Sequence, residues 1–245
     1  MSEPSPRDQK KNIHVVVTGA SKGIGRAVAE IFAGAGCRLS LCARNETLLQ
    51  STASELQRQY PGAKVRAKPA DMGKKGSVRE FAEWCLQEGT VDILVNNAGQ
   101  FLPGSFSSEA DGVLEAMIEN NLYSAYHLTR LFLPGMMQAG HGHIFNMCST
   151  ASLLAYPNGG SYSISKFALL GFSKNLREEL KPHGIKVTAV MPGAVYTDSW
   201  SGSNVLPERI MQVQDVAAMI FAASQLSPQA CVEDIVLAPQ QGDLD

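Results

Sequence analysis

A strand, a glycine-rich turn and a helix follow one another near the start of the chain, and this order is its strongest constraint on the fold. The β-branched run 15–18 precedes Gly19, Gly23 and Gly25, after which apolar residues recur at helical spacing. Glycines let a backbone turn tightly and approach a ligand closely, while the positive end of the following helix attracts a phosphate. The order is typical of dinucleotide binding, and a glycine turn without a ligand is the alternative. A Walker-type phosphate loop is excluded, because no Gly-Lys-Ser or Gly-Lys-Thr follows.

Strands and helices alternate along the rest of the chain. Strands are predicted at 14–18, 38–43, 64–70, 91–96, 143–149, 186–191 and 232–238, and helices at 24–35, 46–59, 76–88, 109–138, 161–181 and 208–225. Such alternation is typical of a parallel sheet that is covered on both faces. We therefore predict an α/β fold: a single doubly wound (Rossmann) domain over 12–245, with a seven-stranded parallel sheet and helices on both faces. The polar residues 1–11 are predicted to be a disordered lead-in.

A tyrosine and a lysine, Tyr162 and Lys166, lie one helical turn apart in the predicted helix 161–181. A phenol titrates near pH ~10, so it is a poor proton donor or acceptor at neutral pH unless its anion is stabilised. A lysine cation about 4 Å away, at an effective dielectric constant near 20, would contribute roughly 4 kcal/mol, or about three pKa units. The pair therefore suggests a general acid–base with a pKa near ~7. A chance occurrence of this spacing is the alternative.

Further motifs accompany the glycine turn and the Tyr–Lys pair in a fixed order. They are the loop Thr18–Gly25, the run Asn96-Asn97-Ala98-Gly99, Asn121, Ser149, and the turn Pro192-Gly193. With these motifs the chain resembles the short-chain dehydrogenase/reductase family over nearly its whole length. The resemblance implies that the catalytic residues are Ser149, Tyr162, Lys166 and Asn121. The neighbouring Asn120 leaves a one-residue ambiguity, and Asn121 is preferred because the family pattern is Asn followed by Leu or Val.

The end of the second predicted strand carries information on the cofactor. An NAD-binding sheet usually has a carboxylate there, but this strand ends at Ala43 and is followed by Arg44. A guanidinium suits a 2′-phosphate through paired hydrogen bonds, whereas Glu46 lies in the first turn of the next helix, after Asn45 as its N-cap. In the family, basic residues at the positions of Lys22 and Arg44 mark members that prefer NADP(H). Two ordinary surface cations are the alternative.

The resemblance also implies a wider set of cofactor-binding residues. Asp71 would hold the adenine amino group, and Val195 and Thr197 would bind the carboxamide. The full predicted set is Gly19, Ser21, Lys22, Gly23, Ile24, Gly25, Arg44, Asp71, Met72, Asn97, Ala98, Gly99, Tyr162, Lys166, Pro192, Gly193, Val195 and Thr197.

The implied reaction is the reduction of a carbonyl by hydride transfer from NADPH. Tyr162 would donate the proton, and Ser149 would hydrogen-bond the same oxygen. Lys166 would lower the pKa of the tyrosine and bind the nicotinamide ribose, and Asn121 would anchor a water that links Lys166 to solvent. The reaction is therefore expected to be that of an NADP(H)-dependent carbonyl reductase.

The segments 100–104, 151–158 and 199–207 are expected to line the substrate pocket. They supply an apolar and aromatic wall that suits a cyclic, aromatic or hydrophobic ketone such as a pterin or diketone, with the substrate residues Phe101, Leu154, Tyr156 and Trp200. The last residues, from Val232 onward, look like those of bacterial sepiapterin-reductase-type members. A 3-oxoacyl-[acyl-carrier-protein] reductase and a binding protein that senses NADP(H) without turnover are the two alternatives.

Composition limits the partners. A net charge of −2 and a pI near 6.2 argue against nucleic acid, and no apolar run is long enough to span a membrane. Five cysteines without a C-x-x-C pair indicate buried thiols in a reducing cytoplasm. His141 and His143 have no third partner in the sequence, so no metal is expected. By resemblance the protein is expected to be a homodimer or homotetramer, with Leu122, Leu169 and Phe172 as candidate interface residues.

Overall fold

The computed structural model describes residues 13–197 and 205–243. Seven strands of this part form one sheet in the order β3-β2-β1-β4-β5-β6-β7, and every neighbouring pair is parallel. The strands are β1 His14–Thr18, β2 Arg38–Cys42, β3 Lys64–Ala67, β4 Ile93–Asn96, β5 Gly142–Met147, β6 Ile185–Pro192 and β7 Asp234–Leu237. The predicted doubly wound α/β fold is confirmed. Residues 1–11, predicted to be a lead-in, lie outside the described residues.

Seven α-helices in the described residues cover both faces of this sheet. They are α1 Gly23–Gly34, α2 Glu46–Gln59, α3 Lys75–Leu86, α4 Val113–Ile118, α5 Ser124–Ala139, α6 Gly160–Leu180 and α7 Val213–Ser224. Side chains alternate between the two faces along β1, as the two-residue period of a strand requires. Val15 and Val17 pack with α1, α2 and α7, whereas Val16 packs with α3, α5 and α6.

The order of the strands reverses between β1 and β4, which lie side by side although the chain passes through β2 and β3 between them. In open α/β sheets, ligands bind in the crevice outside the carboxyl ends of the strands at such a reversal. Thr18 ends β1 there, and its hydroxyl accepts hydrogen bonds from the N–H groups of Asn97 (3.0 Å) and Ala98 (2.8 Å), just after β4. This contact joins the two loops that border the crevice.

The predicted helix 109–138 is divided in the structure. Helix α4 ends at Ile118, a π-helical turn spans Glu119–Tyr123, and α5 then begins at Ser124. A π-helical turn inserts extra backbone into a helix and rotates the residues within it, which no hydrophobic periodicity can predict. The predicted helix 208–225 begins only at Val213, because Gln212 and Asp215 form a capping box at that point.

The apolar residues predicted for a subunit interface pack in or against the core of the chain. Leu169 is buried, and Leu122 and Phe172 pack against the same cluster. Burial, which was the alternative explanation, accounts for Leu169, and the interface role of the partly buried Leu122 and Phe172 stays a prediction. The cysteines are free thiols; Cys231 is partly exposed, and the other four are buried. None of the helices in the described part of the chain combines the length and apolar character that a membrane crossing needs.

Candidate active site

Two adjoining cavities open at the carboxyl ends of the strands, and both are lined by Asn97 and Gly99. The larger has a volume of about 520 Å³ and contains the predicted catalytic residues Ser149, Tyr162 and Lys166 in its wall. The smaller has a volume of about 360 Å³. An elongated ligand could therefore extend from one cavity into the other past the end of β4.

The predicted cofactor residues divide between the two cavities. Gly23 and Gly25 are absent from both linings. The smaller cavity is lined by Gly19, Ser21, Lys22, Arg44, Asp71, Met72, Asn97, Ala98 and Gly99. The larger is lined by Ile24, Asn97, Gly99, Tyr162, Lys166, Pro192, Gly193, Val195 and Thr197.

The glycine turn is packed closely against the loop after β4. Gly19 has φ +65°, in the left-handed region that favours glycine. A Cβ at Gly25 would overlap the carbonyl oxygen of Gly19 and lie 2.5 Å from Asn97 Nδ2. That amide donates to the carbonyls of Thr18 (2.9 Å) and Gly19 (3.2 Å). At the start of α1 the N-cap Lys22 makes no side-chain capping bond, and the amide groups of a first helical turn favour an anion.

The smaller cavity carries two cations. Lys22 and Arg44 both line it, and Asp71 is the one acid among its described lining residues. The Asp71 carboxylate is engaged locally: Oδ1 accepts the Gly73 N–H (3.1 Å), and Oδ2 lies 3.6 Å from Lys74 Nζ. Asn45 is the N-cap of α2, as predicted, accepting the Leu48 N–H at 2.9 Å. The charge of this cavity is compatible with a phosphorylated ribose.

Tyr162 and Lys166 lie on one face of α6, one turn apart, and both face the larger cavity. Lys166 is only 7% exposed. Its Nζ donates to the Met147 carbonyl (2.7 Å) and lies 5.7 Å from the centroid of the Tyr162 ring. Burial lowers the pKa of Lys166 to about 8, because an ammonium loses hydration there.

The predicted fall in the pKa of Tyr162 is wrong for this structure. Burial raises the pKa of Tyr162, and the side-chain interaction with Ser149 opposes that rise without overcoming it. The lysine does not lower the pKa of the phenol here, because its ammonium is directed at the Met147 carbonyl rather than at the hydroxyl. The Tyr162 hydroxyl therefore holds its proton firmly at neutral pH.

Ser149 is fixed where β5 ends. It is the N-cap of the 3₁₀ helix Thr150–Ser152, and its Oγ accepts the Ala151 N–H at 3.1 Å. The same hydroxyl donates to the Pro192 carbonyl at 3.4 Å. These bonds orient the hydroxyl in the wall that also contains Tyr162.

The π-helical turn decides between the two neighbouring asparagines. Asn121 is buried and binds both backbone groups of Gln100: Oδ1 accepts its N–H (2.7 Å), and Nδ2 donates to its carbonyl (3.0 Å). Nδ2 also donates to Ser165 Oγ (2.9 Å), next to Lys166. Asn120 instead lines the smaller cavity. Asn121 is thus the asparagine that lies beside the Tyr–Lys pair.

Three of the four predicted substrate residues line the larger cavity, namely Phe101, Leu154 and Tyr156. The Phe101 ring meets the Tyr162 ring edge to face, with 4.8 Å between the centroids. Trp200 lies outside the described residues. The wall of the cavity beside Tyr162 is therefore aromatic.

The structure adds two carboxylates that the sequence analysis did not identify. Glu109 caps α6: its Oε1 accepts the Ser161 N–H at 2.9 Å, and its Oε2 accepts the Ser161 hydroxyl. These bonds lower the pKa of Glu109. Asp243 lines the larger cavity. Each of these carboxylates accepts hydrogen bonds from residues at least 49 positions away in the sequence, so no local pattern could have indicated its role.

No three metal-ligating side chains lie together within residues 13–197 and 205–243. His141 Nε2 is 2.9 Å from Asp92 Oδ1. His143 is buried against Phe145, and burial lowers its pKa to about 3.

Comparison with known proteins gives one family match and many relatives. The family model described as short chain dehydrogenase matches residues 13–205. Dehydrogenase/reductase SDR family member 7B of Bos taurus is 34% identical over 194 residues, which cover 77% of this chain and 59% of that protein. The chain therefore spans less than two thirds of the length of that relative. An uncharacterized oxidoreductase of Staphylococcus aureus (strain MRSA252) is 30% identical over 91% of this chain and 96% of its own length.

Solved structures share the fold over most of the chain. An alcohol dehydrogenase from Thermococcus sibiricus, complexed with 5-hydroxy-NADP, superposes with a TM-score of 0.88 at 28% identity, covering 96% of this chain and 99% of that one. A metagenomic short-chain oxidoreductase in complex with NADP gives a TM-score of 0.81 at 30% identity, covering 93% of this chain and 97% of that one.

Proposed function

The chain belongs to the short-chain dehydrogenase family of oxidoreductases, and we propose that it is an NADP(H)-dependent carbonyl reductase that converts a ketone or aldehyde to an alcohol. One observation carries the proposal. Ser149, Tyr162 and Lys166 line a single cavity, which adjoins a second cavity lined by the glycine turn, Lys22 and Arg44. A reactive carbonyl and a phosphorylated dinucleotide would each find suitable chemistry there.

The residues present fit NADP(H). The uncapped start of α1 suits the pyrophosphate, and Lys22 and Arg44 suit a 2′-phosphate. Asp71 would hold the adenine, and Val195 and Thr197 would hold the carboxamide. When bound, the reduced nicotinamide supplies the hydride. The solved relatives that contain NADP or a derivative of it support this assignment.

The side chains of the larger cavity have complementary roles in the proposed reaction. Tyr162 donates its proton to the oxygen of the substrate as negative charge develops on it. Ser149 donates a hydrogen bond to the same oxygen and orients the carbonyl. Lys166, with a pKa of about 8, is mostly protonated at pH 7 and would bind the nicotinamide ribose, as the family resemblance implies. Asn121 would anchor a water that links Lys166 to solvent.

The raised pKa of Tyr162 keeps the phenol protonated at neutral pH, which is the form that reduction requires. A proton donor must hold its proton before the reaction, and this phenol does so throughout the neutral range. The reverse reaction, oxidation of an alcohol, requires the phenolate and is therefore expected to accelerate as the pH rises.

The aromatic and apolar wall supports a cyclic, aromatic or hydrophobic substrate such as a pterin or diketone. Phe101 and Tyr156 offer faces against which a planar ring can stack, and the cavity of about 520 Å³ is in the ordinary range for small-molecule sites. We also propose that the protein assembles as a homodimer or homotetramer, for which the exposed apolar residues Tyr123, Ile164 and Phe167 provide a surface.

A screen of NADPH oxidation tests the proposal, with pterins, diketones, quinones, steroids and 3-oxoacyl thioesters as substrates. For the best substrate, Tyr162→Phe is expected to lower kcat by about 10²–10⁴-fold while NADPH binding is retained. Tyr60→Phe, at a partly exposed tyrosine outside both cavities, is the matched control and should leave kcat unchanged. Activity of Tyr162→Phe within a few-fold of the wild type would refute the role of the tyrosine.

The same screen separates the two alternative functions. Turnover restricted to 3-oxoacyl thioesters would identify an acyl-carrier-protein reductase. NADPH binding without oxidation across the whole panel would identify a cofactor-sensing protein and refute the catalytic proposal.

A further inference from the structure

A carboxylate reaches the larger cavity from the segment that follows β7. Asp243 lines this cavity together with Ser149 and Tyr162. Its Oδ1 accepts the N–H of Ala194 at 2.8 Å, and its Oδ2 accepts the hydroxyl of Thr150 at 3.0 Å. These two donors follow directly after the Pro192-Gly193 turn and after Ser149, so the carboxylate joins two segments of the cavity wall.

A second set of bonds holds the same segment in place. The guanidinium of Arg209 donates to the carbonyl of Gly242 at 2.8 Å and to that of Asp243 at 3.2 Å. The close approach also depends on a glycine, because a Cβ at Gly193 would lie 2.5 Å from Oδ1 and 2.6 Å from Oδ2 of Asp243. The carboxylate is therefore placed by specific contacts on both its backbone and its side chain.

The charge of Asp243 acts inside the cavity. Asp243 is the one acid among the described lining residues, and the two hydrogen bonds it accepts come from neutral donors. Lys166, the cation of this cavity, directs its ammonium to Met147 instead. Burial raises the pKa of Tyr156 to about 12, and the negative charge of Asp243 contributes to that rise. A carboxylate has about four acceptor positions, so Asp243 retains capacity for a donor on the substrate.

We propose that Asp243 determines substrate specificity by charge: it disfavours anionic substrates and favours neutral or cationic ones that carry a hydrogen-bond donor. The inference rests on the proposed function, because it names the substrate class of the same cavity. Two negative charges about 6 Å apart, at an effective dielectric constant near 20, disfavour each other by roughly 100-fold in binding. An uncharged residue at position 243 would remove that discrimination.

The test compares methyl benzoylformate with benzoylformate, two aromatic α-keto compounds that differ by one negative charge. The wild type should show the higher kcat/KM for the ester, and Asp243→Asn should reduce the ester-to-anion ratio at least tenfold, through faster turnover of the anion. Glu208→Gln removes an exposed carboxylate outside the cavity and should leave the ratio unchanged. Asp243→Ala provides a second variant if the asparagine variant does not fold.

A binding measurement separates this inference from the proposed function. The affinities of both compounds for the NADP⁺-bound protein are measured by calorimetry, where no reduction can occur. If the wild type reduces neither compound but Asp243→Asn or Asp243→Ala still shifts the affinity ratio at least tenfold toward the anion, the reductase proposal is weakened and the role of Asp243 stands. An unchanged ratio in both variants, or no binding of either compound, overturns the role of Asp243.

Discussion

Substitution of Gly25 by alanine adds a single methyl group where the glycine turn meets the loop after β4. The new Cβ would overlap the Gly19 carbonyl oxygen and lie 2.5 Å from Asn97 Nδ2. Ordinary contacts of this kind begin near 3.4 Å, so the two loops must separate by about 1 Å. That movement stretches the bonds from Asn97 to the carbonyls of Thr18 and Gly19.

The cost can be estimated from the contacts that are lost. Overpacking by one methyl group in a close-packed site costs about 1–3 kcal/mol of stability, which lowers Tm by roughly 2–12 °C for a chain of this size. The turn also supplies the amide groups proposed to bind the pyrophosphate. A displacement of about 1 Å weakens hydrogen bonds worth roughly 1 kcal/mol each, so the Kd for NADPH should rise about tenfold or more.

Fluorescence titration with NADPH and thermal denaturation of the ligand-free protein measure these two effects. Gly76→Ala is the matched control, because Gly76 is exposed in α3 and a Cβ there meets nothing within 4 Å. It should leave the Kd unchanged and stabilise the protein by about 0.5–1 kcal/mol. If Gly25→Ala binds NADPH as tightly as the wild type, the glycine turn is not the pyrophosphate site and the reasoning fails.

Three further predictions concern charged groups. Arg44→Ala should raise the KM for NADPH about tenfold or more and leave that for NADH unchanged, whereas equal effects in steady-state kinetics would contradict a 2′-phosphate contact. The pKa of Lys166 is lowered from 10.5 to about 8, so between these pH values the unfolded chain binds the extra proton and the free energy of unfolding rises with pH. The rise between pH 8 and pH 10 is about 2 kcal/mol, and Lys166→Met should abolish it in urea titrations at these two pH values; equal pH slopes in the variant and the wild type would contradict this. The pKa of Glu109 is lowered, so its contribution to stability is present above its ordinary pKa of 4.5 and is lost as the pH falls through the folded value. Glu109→Gln should therefore lower Tm by more at pH 7 than at pH 3, and an equal decrease in Tm at both pH values in calorimetry would refute the capping role.

Local patterns in the sequence predicted the elements that position the site. The strand His14–Thr18 and the helix Glu46–Gln59 have the predicted bounds, and the other predicted strands differ by a few residues at their ends. These elements could be predicted because their signals lie within a few residues of one another along the chain. The signals are β-branched runs, apolar residues at helical spacing, and Asn45 as an N-cap. The spacing of Tyr162 and Lys166 likewise places both residues on the same face of the helix, because residues i and i+4 are neighbours in any α-helix.

Other features of the site depended on contacts between distant parts of the chain. The sequence left Asn120 and Asn121 as a one-residue ambiguity, and the π-helical turn Glu119–Tyr123 directs only Asn121 toward Gln100 and Ser165. The predicted low pKa of Tyr162 considered one neighbouring charge and omitted burial, which is the larger effect here.

The sequence by itself determined the doubly wound sheet, the family and the residues proposed to carry the chemistry, because periodicity, motif spacing and glycine spacing act over a few neighbouring residues. Only the tertiary structure decided how deeply Lys166 is buried, which carboxylate caps α6 and that Asp243 enters the cavity. Those properties arise when segments far apart in the chain pack together and exclude water. Burial and long-range hydrogen bonds set the energy of a charged group, and no local pattern contains them.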